Sequence, residues 1–418
     1  MTPLPSFGLL KRLSTLLCLL PHSAAKAAIA APRRVPSVPW LTPPLGWNSW
    51  NHFRGRLDES VVKSTADALV STGLAAKGYT YVNMDDTWAA GRDNTTGALL
   101  ASAVKFPSGI PSLVEYVHDK HLHFGIYTDV GHQTCAKCPG TWGYEKLDAD
   151  TFANWKCDYV KSDSCFTSAS NPTTQPADGA SCYHRYQLFA AALKASGRQM
   201  VHSIKGPCGR KPGTMNGVCS PPDAAAVANL RRCAGDAQDS WSSLMKIVDE
   251  AAEVVKFTRP GFFADMDILE IGNGGLTEVE ERTEMTLWCA LKSPLLLGND
   301  LTNISASTLA IVGNTAMLAV NQDPLAKAAL RVGNTTSSQV WAGPLANNEA
   351  VVVLLNSGEL PQKVASTWSM LTAVAPKCQK FSAKDLWDGT TTQYSTAGAA
   401  PSAALQPHAT KALRLTCK

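Results

Sequence analysis

From Leu45 onward one pattern of apolar and polar positions repeats along the chain. A short apolar run ends on polar or ionisable residues, and a longer amphipathic segment follows. The runs fall at 45–48, 79–85, 123–129, 158–163, 200–204, 229–235, 262–267 and 295–300. The segments between them include 59–71, 111–120, 149–155, 186–195 and 240–256, which carry apolar residues at helical spacing. Nearly continuous apolar runs of this length suit strands buried on both faces. Strands alternating with helices predict a parallel sheet with right-handed crossovers. Eight such units predict an α/β fold, a (β/α)8 TIM barrel, over an open doubly wound sheet.

After Asn321-Gln322-Asp323-Pro324 the period shortens. Alternating runs appear at 338–342, 350–355, 386–387 and 412–415, with Gly, Asn, Pro, Ser and Thr between them. This predicts a small C-terminal antiparallel β-sandwich, with 396–404 as a small-residue loop and Cys378 and Cys417 available to staple it.

The front of the chain follows neither pattern. Lys11-Arg12, a short apolar run from Leu13 to Leu20 and small residues from Ala24 to Ala31 read as a secretory signal, too short to span a bilayer. The predicted organisation is a signal peptide at 1–31, a catalytic barrel at 32–325 and a sandwich at 326–418. Lys11, Arg12 and Lys26 supply three of the formal +4 charges, so a chain lacking 1–31 carries +1. That balance gives no electrostatic case for nucleic acid or an anionic membrane surface. Eleven of the 12 cysteines follow the leader, and sequons stand at Asn94, Asn303 and Asn334. Both features point to the secretory pathway, with an extracellular or a vacuolar or lysosomal destination. Cys135-x-x-Cys138 has no second pair at zinc-ligand spacing, and no metal or organic cofactor is expected.

The strand ends carry the candidate chemistry. Trp47, Asp85, Asp86, Tyr127, Asp129, Lys161, Asp163, Arg232, Asp236, Asp265 and Asp267 all fall there. In a barrel these ends converge on one face, so acids far apart in sequence gather in one cavity. Carboxylates, aromatics and a few cations suit a sugar, which offers hydroxyls and an apolar ring face. Trp47 is a stacking surface or a core tryptophan. Asp163, two residues after Lys161, would have its ionised form favoured, as a nucleophile needs. Asp236 is a proton donor or the N-cap of the helix that follows.

The motifs resemble glycoside hydrolase family 27, the α-galactosidases and α-N-acetylgalactosaminidases. The resemblance runs through Leu45-Gly46-Trp47-Asn48-Ser49-Trp50-Asn51 and Asn83-Met84-Asp85-Asp86-Thr87-Trp88. It continues through Gly125-Ile126-Tyr127-Thr128-Asp129-Val130-Gly131, Lys161-x-Asp163-x-Cys165 and Arg232-x-x-x-Asp236. Asp265-x-Asp267 to Gly274 and Ser293-Pro294-Leu295 to Leu301 complete it, and it covers about residues 40–325 plus the sandwich. It implies retaining hydrolysis of terminal α-galactosyl groups, with Asp163 as nucleophile and Asp236 as acid/base. It implies glycone contacts from Trp47, Asp85, Asp86, Tyr127, Lys161, Arg232 and Asp267, and a disulfide between Cys135 and Cys165 beside the site. Retention predicts carboxyl groups about 5–5.5 Å apart.

The chain departs from the family at three places. Ser162 and Ser164 flank the nucleophile where an aromatic and Asn or Gly are usual. The family's N-terminal disulfide has no cysteines around Arg54-Gly55-Arg56. At the fifth strand His202-Ser203-Ile204-Lys205-Gly206-Pro207-Cys208 lacks the glutamate that contacts the 2-hydroxyl, and a basic, Gly/Pro-rich loop follows. The expected substrate is an α-galactoside oligosaccharide or glycoconjugate. An α-N-acetylgalactosaminide ranks second and a β-L-arabinopyranoside third, and a catalytically silent sugar-binding protein is the reading from another class. The oligomeric state stays open.

Overall fold

Every one of the eight predicted runs forms a strand, and all eight lie in a single parallel sheet. The computed structural model describes residues 40–167, 182–205, 221–374 and 378–418. The strands are β1 (Leu45–Asn48), β2 (Tyr79–Asn83), β3 (His123–Asp129), β4 (Tyr159–Asp163), β5 (Val201–Ile204), β6 (Leu230–Arg232), β7 (Phe263–Asp265) and β8 (Leu295–Leu297). Their spatial order is β8-β1-β2-β3-β4-β5-β6-β7. The ring closes through the residue pair Leu269 and Leu297. There the Leu269 amide donates to Leu296 O (2.8 Å) and the Gly298 amide to Leu269 O (3.0 Å). The predicted leader and the basic stretch after Lys205 lie outside the described residues.

Alternation along the strands decides which side chains face the site. Tyr159 packs inside the barrel with Tyr81, Val201, Leu230 and Phe263. Val160, Ile204 and Ala264, an odd number of residues further on, pack outward against the helices. Counting by twos from the inner layer therefore aims Tyr127, Lys161, Asp163, Lys205, Arg232, Asp265 and Asp267 inward. The same count aims Ser162 and His202 outward.

The helices follow their apolar stripes. Helix Glu59–Ser71 buries Val62, Thr65, Ala66 and Leu69 and is capped by Asp58, whose carboxylate accepts from the Val61 amide. Helix Trp241–Ala251 buries Leu244, Ile247, Val248 and Ala251 beneath a Ser240 cap. Each such cap stabilises its helix by about 1 kcal/mol. Helix Glu278–Ala290, which joins β7 to β8, opens on a Thr277–Glu280 capping box.

The C-terminal strands are β9 (Leu330–Asn334), β10 (Ser338–Leu345), β11 (Glu349–Asn356), β12 (Gln362–Ala365), β13 (Lys380–Asp385), β14 (Thr391–Ser395), β15 (Ser402–Leu405) and β16 (Thr410–Cys417). They form an antiparallel sheet in the order β9-β10-β11-β16-β13-β14 and a second sheet of β12 with β15. Cys378 and Cys417 are joined by a disulfide.

Three features differ from the sequence reading. Leu386-Trp387 is a turn rather than a strand, because Asp385 accepts from the Trp387 and Asp388 amides and ends β13. The supposed loop at 396–404 contains most of β15, which pairs with β12. A hairpin of Ala89–Arg92 with Leu99–Ala101 follows β2, and the apolar pattern gave no sign of so short a pair. Among the described residues, no helix is long and apolar enough to cross a membrane.

Candidate active site

The carboxylates gather at the C-terminal ends of the barrel strands. A small cavity there is lined by Asn48, Lys161, Lys205, Arg232, Asp265 and Asp267. A larger hollow lined by Trp40, Arg198, Asn229 and Arg259 lies at the opposite, N-terminal ends and holds no acids.

Asp163 is buried and anchored through both oxygens. Tyr127 Oη donates to Oδ2 at 3.1 Å, and the Ser164 amide donates to Oδ1 at 2.9 Å. Its register partner on β3 is Asp129. Asp129 is fully buried and accepts from the amides of Gly131 (2.6 Å) and Cys165 (2.8 Å). Burial, with the Asp163 charge beside it, pushes the Asp129 carboxyl well above the ordinary range. Gly131 is required here, since a Cβ would sit 2.0 Å from Cys165 O. The disulfide between Cys135 and Cys165 closes the same corner, and Tyr127 Oη lies 3.6 Å from Cys135 Sγ. These two sulfurs come close enough to Asp129 and Asp163 to suggest a metal cluster. They are bonded to each other and offer no thiolate to an ion.

Lys161 behaves differently from the expectation. Its Nζ pairs with Asp85 Oδ2 at 2.7 Å instead of Asp163. The long side chain reaches past β3 to the end of β2, where Asn48 Nδ2 reaches the same oxygen at 2.8 Å. Burial would lower the Lys161 pKa, but Asp85, Asp163 and Asp267 outweigh it and hold the ammonium charged. Asp86 turns the other way and accepts from the Thr87 (2.6 Å) and Ala136 (2.9 Å) amides. Burial raises its pKa against those bonds. The adjacent acids thus serve different walls, as the strand end allows.

Arg232 binds Asp267 Oδ1 through Nη1 at 2.7 Å, and Gly235 O (2.7 Å) and Asp236 Oδ1 (3.1 Å) through Nη2. Its Nε finds no acceptor among the described residues. Asp267 has φ +82°, a left-handed value that costs a non-glycine residue about 1–3 kcal/mol. Four bonds hold it there. Its amide reaches Asp265 Oδ1, its carbonyl takes Trp288 Nε1, and its carboxylate takes Arg232 and the Ala237 amide. Asp265 beneath it is pushed up to about 6 by burial, against the pull of Arg232.

Asp236 is the one open carboxylate of the group, with its side chain 56% exposed. It is not an N-cap, because Ser240 caps the helix that follows. Lys205 Nζ contacts its Oδ1. Burial works to raise the Asp236 pKa, and Arg232 and Lys205 overcome it, holding the carboxyl well below the usual range.

Trp47 is fully buried. Its indole N–H donates to Asn299 O at 2.9 Å and its ring meets Phe53 edge-on at 5.9 Å. It stands as a core tryptophan, without the open stacking face expected of it. Ser162 and His202, one step out of phase with the site, form a buried chain outside the barrel. Ser162 Oγ lies 2.9 Å from His202 Nε2, and His202 Nδ1 lies 2.8 Å from Val227 O. A carbonyl beside Nδ1 fixes the proton on that nitrogen, so Ser162 donates to Nε2. Burial lowers the His202 pKa to about 4.

Of the residues named from the sequence, Asp85, Asp86, Tyr127, Lys161, Asp163, Arg232, Asp236 and Asp267 all lie at the C-terminal ends of the barrel strands. Sequence reasoning gave no roles to Asn48 and Asp129, although register with Asp163 singles out the latter. It noted Lys205 only as a missing acid.

Converging acids and cations at the C-terminal face of a (β/α)8 barrel fit a glycoside hydrolase, whose chemistry needs paired carboxyl groups. The sequence profile of the family described as alpha galactosidase A matches residues 42–323. That of the alpha galactosidase C-terminal beta sandwich domain matches residues 335–415. The chain belongs to the alpha galactosidase A family. An α-galactosidase of Coffea arabica is 40% identical over 377 residues, covering 90% of this chain and 94% of that protein. The crystal structure of α-galactosidase I from Mortierella vinacea matches with a TM-score of 0.80 at 33% identity, over 90% of this chain and 98% of that one. An α-galactosidase from Saccharomyces cerevisiae, solved with raffinose, matches with a TM-score of 0.78 at 27% identity, over 90% and 98% of the two chains.

Proposed function

We propose that this protein is a retaining α-galactosidase that removes terminal α-linked galactose from oligosaccharides or glycoconjugates. One observation carries the division of roles. Asp163 is buried and fixed by two hydrogen bonds at the end of β4, while Asp236 stands open at the mouth after β6, two strands away. A nucleophile must be held still, and an acid/base must meet the leaving group and then water.

Asp163 attacks the anomeric carbon while Asp236, as the carboxylic acid, protonates the departing glycosidic oxygen. Asp236, now a carboxylate, takes a proton from water. That water attacks the anomeric carbon, and Asp163 leaves as the free carboxylate. Both steps use two carboxyl groups and water. Asp85, Asp86, Tyr127, Lys161, Arg232 and Asp267 bind the glycone hydroxyls. The coffee relative's name and the raffinose bound to the yeast enzyme support the substrate class. Asn94, Asn303 and Asn334 are all exposed. With the two disulfides they support passage through the secretory pathway behind a leader at 1–31.

The test offers purified protein nitrophenyl α-galactoside and its 2-acetamido analogue and follows the anomer released by NMR. The α-anomer of galactose should form first, and Asp163→Asn should abolish turnover. Inversion, or activity surviving in Asp163→Asn, would sink the mechanism. Faster cleavage of the acetamido substrate would make the protein an α-N-acetylgalactosaminidase.

A further inference from the structure

Lys205 stands directly after β5 with its backbone fixed at both ends. Its amide donates to Ser162 O at 3.1 Å, and its carbonyl accepts from Tyr186 Oη at 3.1 Å. The alternation along β5 aims its side chain into the barrel mouth, where Nζ meets Asp236 Oδ1. The same oxygen receives Arg232 Nη2. Both cations therefore hold one oxygen of an otherwise exposed carboxylate, and the proton of a working acid belongs on the other, Oδ2.

We propose that Lys205 is a positioning residue for the acid/base. It pins Asp236 by Oδ1, presents Oδ2 to the leaving group, and sets the pH above which the enzyme runs short of its general acid. The charged groups facing Asp236 are Arg232 from β6, Lys205 from β5 and Lys161 from β4, and Asp267 lies on the far side of Arg232. Burial alone would favour the protonated acid, and these cations reverse that preference. Arg232 is committed to Asp267 and Gly235 as well. Lys205 has Asp236 as its one ion-pair partner among the described residues, so it is the adjustable member. The proposal rests on the reading of Asp236 as acid/base.

The experiment measures kcat/KM against pH for the wild type, Lys205→Met, Lys205→Gln and Lys205→Arg, with methyl α-galactoside and with α-galactosyl fluoride. The methanol leaving group needs a proton and fluoride needs almost none. With methyl galactoside, the basic limb in both neutral variants should move upward by about one pH unit or more, the usual effect of removing a cation near a carboxylate. Lys205→Arg should keep the wild-type limb. With the fluoride, the difference between the limbs should vanish. Lys205 acting only as structural support would alter thermal stability and both substrates in parallel and leave the limb in place, and that result overturns the proposal. Two neutral variants guard against one failing to fold. Asp236→Asn separates the two claims. If it still cleaves methyl galactoside with the wild-type limb, the reading of Asp236 has failed. If it cleaves only the fluoride while Lys205→Met leaves the limb unmoved, the Lys205 proposal alone has failed.

Discussion

Replacing Asp267 tests whether its left-handed backbone is held by the charge it carries. Asp267 and Arg232 are 5% and 4% exposed, and their ion pair is 2.7 Å long. Removing one partner of a buried pair costs about 3–5 kcal/mol. The lower end applies here, because Asp236 Oδ1 remains 3.1 Å from Arg232. Alanine would also have to keep φ near +82°, which adds about 1–2 kcal/mol. Asp267→Ala should therefore lose about 4–5 kcal/mol, a large share of the 5–15 typical of a domain. Asp267→Gly removes the same pair without the backbone penalty and should lose about 3 kcal/mol. Asp267→Asn tolerates the left-handed region and still accepts from the Ala237 amide, so it should lose only about 2 kcal/mol. The assay is urea unfolding at fixed pH, followed by fluorescence and circular dichroism together, since coincident transitions license the comparison. The order Asn, Gly, Ala from most to least stable is the expected result. If alanine matches glycine, the backbone is not strained. If alanine matches asparagine, neither the strain nor the hydrogen bond from the Ala237 amide governs this corner.

Tyr127→Phe removes the hydroxyl on Asp163 Oδ2 while keeping the ring under Lys161, 5.2 Å away. A hydrogen bond to a charged group contributes about 1.5–3 kcal/mol, so kcat/KM should fall about 10- to 100-fold with little change in stability; an unchanged kcat/KM would contradict the anchoring of Asp163. His202 is neutral in the fold and has its pKa lowered to about 4 from an ordinary 6.5. The unfolded chain binds the extra proton between those values, so stability is complete above pH 6.5 and drains away as the pH falls towards 4, by about 3 kcal/mol in all. Comparing pH–stability curves of the wild type and His202→Phe should show that slope lost in the variant; equal slopes would mean His202 is not the group responsible.

The apolar runs place all eight barrel strands within a few residues, because strands covered on both faces leave a nearly unbroken hydrophobic trace. Alternation supplied the rest of the site's layout. Once Tyr159 is known to be inside, Lys161 and Asp163 must follow it. The partner of Lys161 was not legible, because it depends on how far a flexible side chain reaches across a third strand. Trp47 read equally well as a sugar platform or a core residue, and only its neighbours Asn299 and Phe53 decide. Ser162 departs from the family pattern at a position facing the helices. Its meaning appears only with His202, 40 residues away. The pair β12 and β15 escaped notice because four-residue strands of small residues look like loop.

The closure of the barrel has a bearing on how the molecule opens. Between β7 and β8 the ladder shrinks to the single bridge at Leu269, so this seam has few hydrogen bonds to break. The crossover helix Glu278–Ala290 spans it, and the C-terminal sheet grips that helix from outside. Trp387 Nε1 donates to Thr286 Oγ1 at 2.9 Å, Thr283 Oγ1 donates to His408 O at 2.6 Å, and His408 Nδ1 meets Glu280 at 2.7 Å. The sandwich therefore works as a clasp on the catalytic ring. In native-state hydrogen exchange, Trp387→Ala should speed exchange at the Leu269 and Gly298 amides before β3 and β4 respond. Equal effects across the ring would show that the barrel opens as one unit, with no clasp.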